Sequence, residues 1–490
     1  MKLISYEHYL LNILQDFTDQ LQDKVNTIEN YLQMMEYEED DQLPTNPIEY
    51  FRLIRRLHLD YLNWVWYLEQ QPWEGLVSNI NAIAPEMPST TDIEEATSGL
   101  KLIQRVYSLP THEMVEGIFQ GIHHNTSLNP MECYTIANDL FKEKDFVFAL
   151  EWLSVGAQMY MADKDNEDLY TQLGVPLVNF IELFVQIQDA LGERSLAMTE
   201  LETAMETWPD QASLGRAHSR LKMSIRIGEE SKISKEVPLG VYEYCCTLEC
   251  RPNLRLFCQY NTTASSFLRL APLKMELLSL DPYVVLYHDV VSEKDIASIK
   301  MLAQNNLTRA QTFNPNRTLA IDPFRTTKGR WINEMEGVMH RMSQLTEDMT
   351  NLDLNGSELF QVMNYGIGGF YGTHYDFLGT PNHSKWDFSD RMVTSMIYLS
   401  DVPLGGATIF PELELSVFPK KGSALIWYNL NHKGEGDTRT AHSACPTIVG
   451  SRWGNKIFHI SPSSIYLVLF HSHDQVDKRA SANVQKTMPN

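Results

Sequence analysis

His374 and Asp376 stand one residue apart in NYGIGGFYGTHYDF (364–377), among glycines and aromatic residues. On an extended strand, residues two apart point to the same face, so this imidazole and carboxylate can converge on one point. Nitrogen and oxygen donors together suit a metal such as Fe(II), and two histidines with one carboxylate leave coordination positions open on it. The missing ligand is then a second histidine on a later strand, for which His432, His442 and His459 compete. His442 is preferred. It lies in TRTAHSACPTIVGSRW (438–453), a run that reads as strand, with Arg452 ten positions further on. His432 sits in the polar loop NHKGEGD, and His459 lies beyond the cation.

That cation completes the chemistry. A redox-active iron needs electrons, and 2-oxoglutarate supplies them by decarboxylation. Its far carboxylate requires a positive partner on the wall of the site, and a guanidinium binds carboxylate bidentately, which assigns Arg452 to it. The bland readings are a loop ion pair for His374 and Asp376, and a surface salt bridge for Arg452. His58-Leu59-Asp60 serves as a control: it has the same spacing but lies in RLIRRLHLDYLNW, a helical pattern. Residues two apart on a helix point in nearly opposite directions and cannot chelate one ion.

The elements that must position these residues change character along the chain. Leu10, Leu14, Phe17, Leu21, Val25, Ile28, Leu32 and Met35 alternate spacings of mostly four and three, a coiled-coil-like seam. EYEEDD (36–41) and LPTNP break it, and a second helix starts at NPIEYF with Asn46 as cap and Pro47 in its first turn. Residues 131–225 read as paired amphipathic helices with small–large packing pairs like those of tetratricopeptide repeats. GEESKISKEVPLG (228–240) reads as linker. Beyond it, YVVLYHDVV, LFQVMNY, RMVTSMIYLS, ATIFPELELSVFP, SALIWYNL and SACPTIVG are short strand-like runs, the pattern of a sandwich or barrel. The expected fold is multidomain α + β, with an all-α N-terminal half before a β-rich domain that carries the chemistry.

At 490 residues with a net charge of −23, the chain is too long for one core and too acidic for a nucleic-acid partner. No apolar run reaches the ~18 residues of a membrane span. The N-terminus MKLISYEHYLLNILQDF has no uninterrupted apolar leader, which taken alone points to the cytosol. The cysteines point elsewhere: Cys245, Cys246, Cys250 and Cys258 crowd together, as a short-loop disulfide or, less well without a C-x2-C pair, a zinc site. Six N-x-[ST] sequons lean toward a secretory chain.

FQVMNYGIGGFYGTHYDF (360–377), SDVPLGGATIFP (400–411), PKKGSALIWYNL (419–430) and RTAHSACPTIVGSRWGNK (439–456) resemble the catalytic domain of the collagen prolyl 4-hydroxylase alpha subunits. NPIEYFRLIRRLHLDYLNW (46–64) resembles that family's N-terminal dimerisation region, and the 131–221 helices its peptide-binding repeats. The resemblance implies a helical dimerisation domain at 1–125, a TPR-like peptide-binding domain at 131–225, and a linker with the cysteine cluster at 226–275. A double-stranded β-helix (jelly-roll) dioxygenase domain would follow at 276–462, and then a tail at 463–490. It implies hydroxylation of C4 of proline in X-Pro-Gly peptides, coupled to conversion of 2-oxoglutarate and O2 to succinate and CO2, with ascorbate sustaining the iron. His374, Asp376 and His442 fall on the iron-ligand positions, and Tyr365 on one that hydrogen-bonds toward the oxoacid. The implied partners are a collagen-like peptide, a second alpha subunit and protein disulfide isomerase, in the lumen of the endoplasmic reticulum.

Departures from that family are specific. Arg452 stands where vertebrate-type members have lysine. The groove tyrosines are replaced by Phe141, Phe146, Gln186 and Asp189. The resemblance pairs Cys258 with Cys246, Cys245 or Cys250 being able to substitute, and leaves Cys445 without its usual later partner. No signal peptide is visible. Alternatives are therefore a divergent paralogue acting on a non-collagen peptide, or a peptide-binding subunit without turnover.

Overall fold

The computed structural model describes residues 2–20, 44–69, 74–227, 241–247, 250, 257–313, 319–321, 324–333, 335, 337–378 and 389–462. They form two compact units, Met1–Pro238 and Leu239–Asn490. The first unit is almost entirely helical. Its first helix, Lys2–Gln20, buries Leu10, Leu14 and Phe17; the continuation of their seam through Leu21 to Met35, the acidic run and the 228–240 linker lie outside the described residues. The helix Pro47–Arg55 starts as its sequence requires, with Asn46 accepting from the Ile48 and Glu49 amides at 3.0 Å and proline in the first turn. It runs into a π-helical turn at Arg56–Asp60. There the control residues part: His58 Nδ1 meets the Pro88 carbonyl at 2.8 Å, while Asp60 is buried against Arg55.

Further on, helices Pro130–Lys142, Phe146–Ala162, Leu177–Leu191, Arg194–Thr207 and Ala212–Ile227 pack on one another in succession. Gly156 permits a close approach among them. A Cβ there would stand 2.7 Å from that of Cys133 and 3.1 Å from the Phe180 ring.

The second unit is built on a nine-stranded antiparallel sheet ordered Cys258–Asn261, Leu273–Leu280, Tyr283–His288, Ala424–Tyr428, Ser389–Tyr398, Arg452–Pro462, Phe360–Tyr365, Lys328–Ile332 and Thr308–Arg309. The segment read as linker and cysteine cluster thus supplies the helix Val241–Thr247, the strand Cys258–Asn261 and the first residues of Leu273–Leu280. A smaller sheet orders Tyr371–His374, His442–Ala444, Thr408–Phe410 and Leu415–Val417. Alternation along the large sheet explains how it buries both faces. In Ala424–Tyr428, Leu425 and Trp427 share a core with Phe410, Leu415 and Ala444 of the small sheet. Ala424 and Ile426 join the opposite core, under the helices Glu293–Gln304 and Gly337–Thr350. The chain passes from Phe360–Tyr365 to Tyr371–His374 through Gly366–Gly369, where Gly368 has φ +70° and a Cβ on Gly369 would sit 2.7 Å from the Gly366 carbonyl. Among the described residues no helix is long and apolar enough to cross a membrane.

Cysteine pairing differs from the expectation. Cys246 is bonded to Cys445 and Cys245 to Cys250, while Cys258 is an exposed free thiol at the start of the outermost strand. Cys445, three residues past His442, takes the cysteine that had been matched with Cys258. The disulfides occupy the thiols a zinc site would need. Ser416 ties this segment to the small sheet, donating to the Cys245 carbonyl at 2.7 Å and accepting from the Cys250 amide at 3.2 Å.

Candidate metal centre and active site

His374 and His442 are direct cross-strand partners in the small sheet, and their ring centroids lie 4.3 Å apart. The strand ends at His374, so Asp376 reaches the same point from the bend that follows rather than from the strand, with the partly exposed Tyr375 between them. Asp376 Oδ1 is 3.7 Å from His374 Nε2, and Oδ2 is 3.4 Å from His442 Nε2. All three residues offer ligand atoms within 4.8 Å of one another.

Hydrogen bonding fixes the tautomers. His374 Nδ1–H donates to the Gly372 carbonyl at 2.9 Å and His442 Nδ1–H to the Thr440 carbonyl at 3.0 Å, since a carbonyl can only accept. Both Nε2 lone pairs then face inward, buried and without a hydrogen-bond partner. Burial drives both imidazoles away from the charged form, His374 well below its usual value and His442 down to about 4, so both are neutral donors at neutral pH. Two orphaned lone pairs beside a carboxylate fit a divalent metal.

The carboxylate is equally constrained. Lys456 Nζ donates to Oδ1 and Thr394 Oγ1 to Oδ2, each at 2.8 Å, and Asn429 Nδ2 donates to Thr394 Oγ1 at 2.9 Å. Burial works against ionisation of Asp376, but the Lys456 ammonium beside it, and the two imidazoles whenever they are protonated, overcome it and hold the carboxyl below the ordinary range. Phe410 and Trp427 pack against His442 and keep that side apolar.

Arg452 approaches from the large sheet, where it pairs with Tyr365. It is buried, its Nη2 donates to Thr408 Oγ1 at 2.8 Å, and its Nη1 has no partner. Thr408 in turn shares a 2.6 Å hydrogen bond with the Tyr398 hydroxyl. Tyr365 lies under the guanidinium at 5.0 Å, and its hydroxyl contacts Met363 Sδ at 3.8 Å. Both line the same cavity as the three metal-binding candidates, a space of about 770 Å³.

Of the competing histidines, His459 is buried beside Ser357 Oγ at 3.2 Å and His432 is exposed in its turn; neither joins the cluster. Thr394, Thr408 and Tyr398 escaped the sequence reading, which offers Lys456 only as a second cation that could serve in place of Arg452.

Comparison with known proteins agrees with this geometry. The family described as "Prolyl 4-Hydroxylase alpha-subunit, N-terminal region" matches residues 1–121, and the "2OG-Fe(II) oxygenase superfamily" matches 360–459. The prolyl 4-hydroxylase subunit alpha-2 of Caenorhabditis elegans is 30% identical over 448 residues, covering 85% of this chain and 80% of its own. The chain belongs to the prolyl 4-hydroxylase alpha-subunit family. Its chicken alpha-2 relative is 29% identical over 500 residues, covering 93% of this chain and 91% of its own. A viral collagen prolyl hydroxylase solved with 2OG, from Paramecium Bursaria Chlorella virus-1, matches 36% of this chain and 96% of its own at 19% identity and a TM-score of 0.30. The oxygenase match spans His374, Asp376, His442, Arg452 and Tyr365 alike.

Proposed function

We propose that the chain is an Fe(II)- and 2-oxoglutarate-dependent prolyl 4-hydroxylase acting on X-Pro-Gly, collagen-like peptides. One observation carries the reading: two cross-strand histidines with orphaned Nε2 atoms and the Asp376 carboxylate converge on one point, facing a buried guanidinium with a spare donor. His374, Asp376 and His442 hold the metal, with Lys456 and Thr394 fixing the carboxylate. Arg452 and Thr408 take the far carboxylate of 2-oxoglutarate, and Tyr365 walls that subsite. When bound, the ferrous ion supplies O2 activation with electrons from 2-oxoglutarate, and ascorbate keeps it reduced. One oxygen atom goes to the proline C–H and the other to succinate, and CO2 leaves. Trp427 and Phe410 exclude water beside His442.

The two facing sheets are read as a double-stranded β-helix, and the successive helices of 131–225 as TPR-like peptide-binding repeats. Phe141, Phe146, Gln186 and Asp189 line one pocket of about 210 Å³ there, with the two phenylalanine rings 5.6 Å apart. Two disulfides support residence in an oxidising lumen such as the endoplasmic reticulum. Pairing with a second alpha subunit and with protein disulfide isomerase belongs to the same reading. The test is mass spectrometry of (Pro-Pro-Gly)-type and non-collagen peptides after incubation with Fe(II), 2-oxoglutarate and ascorbate. Gain of one oxygen on proline, matched by succinate, is expected; succinate without peptide oxidation would contradict the assignment.

A further inference from the structure

Five cationic side chains and two carboxylates line the catalytic cavity, in a chain whose net charge is −23. Two of the cations are neutralised locally. Lys456 binds Asp376, and Arg391 grips both Glu358 oxygens at 2.5 and 2.9 Å. Arg452 is committed to the oxoacid in the reading above. Arg325 is different. Only 8% exposed, it has no carboxylate within ion-pair distance among the described residues. Its Nη2 reaches only neutral, weak acceptors, Gln361 Oε1 at 3.3 Å and Met363 Sδ at 3.5 Å, and its Nε has no partner.

A buried guanidinium without a counter-charge is costly unless a ligand completes it. Nor is it a wandering side chain. The Thr326 amide donates to the Phe370 carbonyl at 3.0 Å and the Gly372 amide to the Phe324 carbonyl at 2.9 Å, pinning the backbone on both sides. The guanidinium lies 4.7 Å over the Tyr371 ring, which stacks on His374 at 3.6 Å. Bound iron and 2-oxoglutarate bring equal and opposite charge, so they leave this excess in place.

We infer that Arg325 forms a subsite for a carboxylate side chain of the peptide substrate, two or three residues from the proline that is hydroxylated. The two stacked layers separating it from His374 correspond to two or three residues of extended peptide at ~3.3 Å each. A carboxylate is the partner a guanidinium fork binds best, and a cationic cleft in an acidic protein concentrates anionic peptides. The inference rests on the peptide-hydroxylase reading.

Matched X-Pro-Gly peptides, carrying Glu or Gln at each of the three positions before the proline and at the second and third after it, test it on the full chain. At one position at least, kcat/KM for the Glu peptide should exceed that for Gln roughly ten-fold, and added salt should erode the difference. Equal rates at every position overturn the inference and leave the hydroxylase reading intact. Hydroxylation of neither overturns that reading instead. Fluorescence anisotropy of the labelled peptides on Co(II)- and 2-oxoglutarate-loaded protein then decides the inference separately: tighter Glu binding supports it, equal Kd values overturn it. In Arg325→Gln the Glu/Gln ratio should collapse to about one. A ratio that survives, with both peptides weakened alike, would mean that the guanidinium serves backbone carbonyls and would overturn the inference. Arg325→Lys keeps the charge without the fork, and should retain part of the preference if the Gln variant does not fold.

Discussion

Single atoms at the metal site define the sharpest expectations. His442→Ala and Asp376→Ala each remove one of three donors, so metal analysis after loading should find neither variant holding stoichiometric Fe(II); full retention in either would exclude that ligand. Thr394→Val deletes the hydrogen bond to Asp376 Oδ2 at nearly constant volume. Outer-shell partners of this kind are worth roughly 10- to 100-fold in metal affinity, and titration with Co(II) should show that loss without unfolding. Arg452→Gln removes a charge-assisted contact worth about 1.5–3 kcal/mol, so the KM for 2-oxoglutarate should rise roughly 10- to 100-fold with iron content unchanged. An unchanged KM would move the anion subsite to another cation. Lys456 is the poorer substitute because its ammonium is held by Asp376. The residues that sequence reading singled out share one property: their relation is local, or ordered along neighbouring strands. Lys456 meets Asp376 across 80 residues and Thr394 across 18, through a sheet order that no spacing announces.

At the scale of elements, legibility follows the same physical line. Helix starts are legible because capping is local, as Asn46 with Pro47 shows; the structure adds Ser292, which accepts from the Asp295 amide at the head of Glu293–Gln304. The end of the strand at His374 is not legible, because a register shift between Tyr371 and His374 is set by the partner strand His442–Ala444. Cysteine pairing failed for a stronger version of that reason. The Cys246–Cys445 bond closes 199 residues and depends on which strand lies beside the helix Val241–Thr247. It also staples the strand that begins with His442. Replacing both cysteines by serine should cost the second unit about 2–5 kcal/mol, and calorimetry should show its transition falling. Metal affinity should drop with it, because Cys445 is only three residues from His442; unchanged affinity would show that this strand holds its place without the bond. In the first unit, Gly156→Leu would drive a side chain into Cys133 and Phe180. Overpacking of that kind costs about 1–3 kcal/mol, and it should lower the first unit's transition while metal binding survives.

For the whole molecule, the two units carry buried titratable groups of opposite sign. In the second, burial holds His374, His442 and His459 below the ordinary imidazole range, His442 at about 4. The unfolded chain therefore binds more protons than the folded one once pH drops below about 6.5. Stability of the metal-free second unit is full above that pH and declines as pH falls toward about 4, by up to about 1.4 kcal/mol per pH unit for each fully buried imidazole. In the first unit Asp60 works the other way. Burial, outweighing Arg55, pushes its carboxyl up to about 6, so the folded state binds the extra proton between about 3.9 and 6, and stability there rises as pH falls. Calorimetry of the metal-free full chain from pH 7.5 to 5 should therefore show the second unit's transition falling faster than the first's. Bound metal requires the same imidazoles neutral, and the folded metal-free state already holds them so, which means that the stabilisation by Co(II) should stay constant from pH 7.5 to 5 and shrink only as pH nears about 4. His459→Gln, outside the cluster, should flatten the slope while leaving the metal increment in place. Parallel slopes for the two units would mean that these imidazoles are not held neutral by burial, and with that the orphaned Nε2 atoms would lose their claim to be waiting for a metal.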